Sequence, residues 1–310
     1  MKTAQNLVIG MLAMVLIGAN VGFSSPLPNA GVPTKIVVTV TPSAGVSTPQ
    51  ILGADDLAVM LGKTPARVIG SQRLTGDLAE MQLFVLLDDS TRSSSLGLQL
   101  PYLKAFIGSL PPTTEVAVGY MQNGAARVVQ EFTTDHQKAA SSLRLPQSIA
   151  GGNGSPYFTL SDLVKHWPSK QATGRHTVLM LTDGVDRYYD NSMVDDPYVD
   201  ESIHDALKQG VMVYSIYLRD AGLYDRGGQT TLFAQSRLIQ VSDQTGGHAY
   251  FQDFTDPVTI SPFLNDLQNR LDRQYQVTVD GLGKKGVQPV QVRSELHGVK
   301  IQGPTRIYLQ

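Results

Sequence analysis

Two short apolar runs, each stopping at an aspartate, constrain this chain more than any other feature. The first, Leu83 to Leu87, runs directly into Asp88-Asp89-Ser90-Thr91-Arg92-Ser93. The run is too short for a core helix, and the abrupt acidic and hydroxyl cluster behind it reads as a buried parallel strand ending in a loop. The second run, His176 to Thr182, stops at Asp183-Gly184. Ligand sites of open parallel sheets form beyond the carboxyl ends of strands, where the chain order reverses. Neighbouring strands ending at Asp88 and Asp183 would aim carboxylates and hydroxyls at one spot.

The pattern around these runs alternates strand and helix. A helix from about residue 96 to 110 closes at Pro111-Pro112, and strands over 115–121 and 127–132 meet at Asn123-Gly124, an antiparallel hairpin signal. Thr134 or Asp135 caps the next helix. A Gly-rich loop over 146–156 precedes a helix read over 160–167, and Pro197 opens a helix that Gly210 ends. A strand over 211–218, a helix over 231–245, a short strand at 248–251 and a helix over 258–273 complete the series. The expected class is α/β: a doubly wound, mostly parallel sheet with one antiparallel edge strand and helices on both faces. Residues 35–79 and 276–310 read as strands, with a hairpin at Gly62-Lys63 and one long last strand over 300–308. Neither segment has enough strands to bury a core alone, so the two are expected to pair into a small β module flanking the α/β unit of 80–275.

Cysteine is absent, which removes disulfides, thiolate metal sites and cysteine nucleophiles together. With 25 basic and 27 acidic residues and no basic block, there is no electrostatic footprint for nucleic acid. Lys2, the apolar stretch Leu7 to Phe23 and the small residues up to Ser25 have the order of a secretory signal peptide over 1–25, followed by a Pro/Ser/Gly linker over 26–34. The expected location is periplasmic or secreted, with no span in the mature chain. An uncleaved N-terminal anchor is the alternative reading of the same stretch.

The residues behind the two runs resemble the metal-ion-dependent adhesion site of von Willebrand factor type A (VWA) domains, whose first loop is Asp-x-Ser-x-Ser and whose later loop holds Asp in Thr-Asp-Gly. Asp88, Ser90 and Asp183 match position for position, and Ser155 in Gly-Gly-Asn-Gly-Ser-Pro-Tyr is the best match to the family's middle Thr. The resemblance covers about residues 81 to 275, includes the Thr245 to Phe251 junction, and is similar to exported bacterial VWA-related proteins. It implies a Mg²⁺ ion held directly by Ser90 and Ser155, with Asp88 and Asp183 in support and one position open for a partner's carboxylate. Position 92, a Ser in the family pattern, is Arg92 here. Either Arg92 points outward and a weakened site survives, or its guanidinium takes the cation's role and pairs with Asp88 or Asp183. A register shifted by one residue, Asp89, Thr91 and Ser93, also satisfies Asp-x-Thr-x-Ser.

The functional expectation is a non-enzymatic protein that binds a protein partner through these loops, with Asp89, Arg92, Tyr188 and Tyr189 as contact residues. Tyr188 and Tyr189 belong to the acidic, tyrosine-bearing stretch of 186–201, which follows the second site strand directly. Two alternatives stand beside it: a Mg²⁺-dependent hydrolase using Asp88 or Asp89, and an envelope scaffold with a vestigial metal site. The chain contains no nucleotide-binding glycine motif, no Gly-x-Ser-x-Gly and no His-Glu-x-x-His.

Overall fold

A computed structural model describes residues 32–43, 51–149, 152, 154–170, 174–189, 195–219, 228–252 and 259–310. The leader expected over 1–25 and the linker up to residue 31 lie outside them. Four strands precede the first Asp-ended run: β1 (Pro33–Pro42), β2 (Leu57–Leu61), β3 (Thr64–Ala66) and β4 (Val68–Arg73). The α/β series then runs β5 (Met81–Asp88), α1 (Ser93–Ser109), β6 (Thr114–Gln122), β7 (Ala125–Thr133), α2 (His136–Ser141), α3 (Pro156–Lys165) and β8 (Arg175–Thr182). It continues through α4 (Pro197–Gln209), β9 (Val211–Tyr217), α5 (Gln229–Thr245), β10 (Ala249–Phe251) and α6 (Ser261–Leu271). The chain closes with β11 (Gln274–Asp280), β12 (Gly286–Ser294), β13 (Val299–Gln302) and β14 (Arg306–Leu309).

The central sheet has the order β10-β9-β8-β5-β6-β7. All its pairings are parallel except β6 with β7, the hairpin that Asn123 (φ 52°) and Gly124 (φ 74°) turn. Alternation along β5 explains the two helical layers. Leu83, Val85 and Leu87 pack toward Leu96 and Leu103 of α1, Ala139 of α2 and Leu267 of α6. Phe84 and Leu86 face the opposite way, toward Leu160 of α3, Ile203 of α4 and Leu238 of α5. From β5 the chain moves outward to β6 and β7 and returns to β8 on the other side, so the order reverses between β5 and β8. Their pairing sets Leu87 against Leu181, which brings Asp88 and Asp183 to the same end of the sheet at this switch point.

The two ends of the chain build two further four-stranded sheets, β13-β1-β11-β4 and β14-β12-β2-β3. Between them lies a core that includes Ile36, Val38, Leu61, Val277, Val290 and Leu309. The strand read over 300–308 is two strands, and they belong to different sheets: β13 pairs with β1 and β14 with β12. Gly303-Pro304-Thr305 separates them. Pro304 has no N–H for a ladder, and a Cβ at Gly303 would stand 2.9 Å from Val38 Cγ1.

Candidate functional site

Asp88 ends β5 almost wholly buried, at 4% exposure. Its Oδ1 accepts from the Ser90 N–H (2.9 Å) and the Ser90 hydroxyl (2.7 Å), and its Oδ2 accepts from the Thr182 hydroxyl (2.7 Å) across the strand pair. Thr182 Oγ1 in turn accepts from Gly184 N–H at 3.1 Å. The glycine after Asp183 is obligatory on two counts: its φ is +69°, and a Cβ there would come within 3.0 Å of Ala234 O and Leu238. Tyr157, fully buried, donates to Gly184 O at 2.9 Å and pins the turn to α3.

Asp183 is held by its own loop. Its Oδ1 accepts from Val185 N–H (3.0 Å), and the Arg187 guanidinium forks onto it, Nη2 to Oδ2 at 2.6 Å and Nη1 to Oδ1 at 3.3 Å. Burial and the neighbouring Asp88 charge push the Asp183 carboxyl up to about 6, against the pull of Arg187. The cation paired with Asp183 is therefore Arg187, four residues beyond it. Arg92 is the N-cap residue of α1 and is not among the residues that line the cavity described below.

Ser155 is also committed. Helix α3 starts at Pro156, earlier than the sequence reading of residue 160, with Ser155 as its N-cap accepting from Phe158 N–H at 3.0 Å. Its hydroxyl donates to Asp186 Oδ2 at 2.6 Å, and Asp186, itself fully buried, accepts from Tyr188 N–H at 2.7 Å. Burial raises the Asp186 carboxyl despite the donors from Ser155 and Tyr188. A backbone bond from Arg187 N–H to Gly154 O (2.8 Å) completes the seam between the β8 loop and the start of α3.

Asp89 does not lie on a recognition rim. It is fully buried and faces the segment after α2, where its Oδ1 accepts from Arg144 (2.7 Å) and Gln147 N–H (3.1 Å) and its Oδ2 from Gln122 (2.6 Å) and Ser148 (3.0 Å). Burial opposes its ionisation, but these four donors hold its carboxyl below the usual range. The shifted register Asp89-Thr91-Ser93 is not assembled: Thr91 donates to Asp88 O at 2.9 Å and Ser93 opens α1. Since Asp88 and Asp89 point to different parts of the fold, they do not share one cation. Tyr188 is 40% exposed and packs edge-on to Phe158 with ring centres 6.0 Å apart, and Tyr189 is half-buried. Residues 190–194 of the acidic stretch lie outside the described residues.

These loops enclose a cavity of about 330 Å³ at the carboxyl ends of the strands. Asp88, Ser90, Gln122, Gln147, Ser155 and Arg187 line it, and Asp183 does not. Two carboxylates and two hydroxyls are the donor types a hard divalent ion takes. In this arrangement they do not fit one: Asp183 is forked by Arg187, and Ser155 Oγ is held between Asp186 and a backbone N–H. Among the described residues no three His, Cys, Asp or Glu side chains come together as metal ligands.

No family model matches this chain, and no curated protein matches it. Solved structures resemble it at low identity. An aerotolerance-related membrane protein from Bacteroides fragilis NCTC 9343 is 10% identical with a TM-score of 0.43, over 62% of this chain and 98% of that one. BatB from Bacteroides thetaiotaomicron, described as a conserved hypothetical protein, is 10% identical with a TM-score of 0.42, over 62% and 97%. Proximal thread matrix protein 1 from the mussel byssus, with a zinc-occupied adhesion-site motif, is 15% identical with a TM-score of 0.43, over 64% and 46%. By its own strand order and its single antiparallel edge, the unit from β5 to α6 has the doubly wound, mostly parallel α/β fold expected from the sequence, with its two Asp-ended strands at the switch point.

Proposed function

We propose that this chain is an exported, non-enzymatic binding protein that engages a partner protein at the cavity beyond β5 and β8. The observation that carries the reading is the cavity itself, at the switch point of a doubly wound sheet, where such folds place ligands. The rim supports it. Ile149, which lines the cavity, is 84% exposed, and Met121 and Pro156 line it too, giving apolar contact surface beside the polar groups. Catalysis is not favoured by the hydroxyls of the floor, because Ser90 and Ser155 each donate to a carboxylate that anchors a loop. Export rests on the leader-like residues 1–25, and no described helix is long and apolar enough to cross a membrane. A Mg²⁺-dependent form of the same reading requires Asp183 to release Arg187.

The test is site-specific photo-crosslinking in cells that produce the protein. A photoreactive residue at Gln147, exposed on the cavity wall, should give one discrete adduct that persists in EDTA. The same residue at Leu98, exposed on α1 and not among the residues lining the cavity, should not. Equal adducts from both positions, or none from Gln147, would reject the reading.

A further inference from the structure

The charge in the cavity points to a partner of definite chemistry. Among the described residues, Asp88 and Arg187 are the charged side chains that line it. Arg187 is already forked onto Asp183. Asp88 is different: its three hydrogen bonds come from neutral donors, two on Ser90 and one on Thr182, and it makes no ion pair among the described residues. A carboxylate at 4% exposure, with no ion-pair partner among the described residues and on the wall of a cavity, is a group that an incoming positive charge would complete.

A divalent ion does not suit this place, because its second carboxylate and second hydroxyl are taken by Arg187 and Asp186. One carboxylate with neutral oxygens around it suits a monovalent ammonium or guanidinium, which brings three to five donors and no demand for octahedral oxygens. The walls suit the stem of such a side chain. Met121, Ile149 and Pro156 give the lining apolar surface. Such apolar walls receive the methylenes of Lys or Arg while the charged head reaches the carboxylate. At about 330 Å³ the space is at the small end of ligand pockets, room for one long side chain rather than a cofactor.

We propose that the cavity receives a lysine or arginine side chain of a partner protein, with Asp88 as its counter-ion and Arg187 keeping divalent ions out by occupying Asp183. This deepens the protein-binding reading above and rests on it. It reverses the charge that the sequence resemblance implied for the partner, which was acidic.

Amide chemical shifts of the isotope-labelled chain, titrated with Gly-Ser peptides carrying a single central Lys, Arg or Glu and separately with Mg²⁺ and Mn²⁺, test it. The Lys or Arg peptide should move the amides of Ser90, Ser148 and Gly154, with Glu and the metals leaving them in place. Asp88→Asn should weaken the basic peptide about tenfold or more, the loss expected for one charge-assisted contact. Should Asp88→Asn fail to fold, exposed Gln147 gives the same answer by sign: Gln147→Lys should abolish binding of the basic peptide and Gln147→Glu should strengthen it. Movement of these amides by the Glu peptide or by Mg²⁺, or by no probe at all, overturns the proposal. A Gln147 cross-link that survives Asp88→Asn unchanged would also reject it, while leaving protein binding at the cavity intact.

Discussion

Asp89→Asn separates a surface role from a structural one at the same residue. If Asp89 were a rim contact, the substitution would weaken partner capture and leave folding alone. The geometry requires the reverse. Each carboxylate oxygen of Asp89 serves two donors, Arg144 and Gln147 N–H on one, Gln122 and Ser148 on the other. An amide has one oxygen, so whichever way Asn turns, its NH₂ faces two donors. Two charge-assisted bonds are lost inside a fully buried site, and the Arg144 guanidinium, 3.7 Å over the Tyr120 ring, loses its counter-ion. The expected cost is about 3–5 kcal/mol. In thermal unfolding of the full chain this corresponds to a midpoint drop on the order of 10 °C. Because the folded carboxyl sits below its ordinary value, its stabilisation is complete above the unfolded value of 3.8 and is lost as pH falls through the folded one. The deficit of the variant should therefore shrink in acid. A midpoint change under 2 °C, on the order of 1 kcal/mol or less, or a deficit that grows as pH falls, would refute the buried-network account.

Asp183 should behave in the opposite sense. Its folded carboxyl stands at about 6 against 3.8 unfolded, so between those values the folded chain holds a proton that the unfolded chain releases. Urea unfolding from pH 7 to pH 5 should reveal a stability increment in wild type that Asp183→Asn lacks; equal pH slopes would contradict it. Ser155→Ala removes the α3 cap and one donor to buried Asp186, and an unfolding free energy lower by about 1–3 kcal/mol is expected in urea. A neutral result there would mean that water or backbone replaces the hydroxyl.

Much of the architecture was legible because its signals are local. The apolar run of β5, the Asn123-Gly124 turn and the Pro197 to Gly210 helix limits each depend on neighbours a few residues apart. Where the reading failed, the deciding contacts were distant or the signal was hidden by composition. Asp89 is satisfied by donors 33 to 59 residues away, and nothing in Asp88-Asp89 says which of two adjacent aspartates meets the segment after α2. The start of α3 was written as Ser155-Pro156, an N-cap followed by proline at N1, but the glycines before it made the stretch read as loop. The division of 300–308 had a local mark in Gly303-Pro304, and an apolar pattern on both sides concealed it.

The cation paired with Asp183 shows how a local signal can be overlooked when a family pattern directs attention elsewhere. Arg92 drew notice because it stands where a hydroxyl was expected, yet it stands at the N-cap position of α1 and off the cavity wall. Arg187 lies four residues after Asp183 in one tight loop, a spacing visible in Thr182-Asp183-Gly184-Val185-Asp186-Arg187. The left-handed Gly184 folds this loop back, Val185 and Arg187 both return to Asp183, and Arg187 N–H fastens the loop to Gly154. The loop thus carries its own counter-ion and is closed without help from an external one. Asp88, one strand away, has only neutral donors, so the charge left for a partner to answer is on β5 rather than β8.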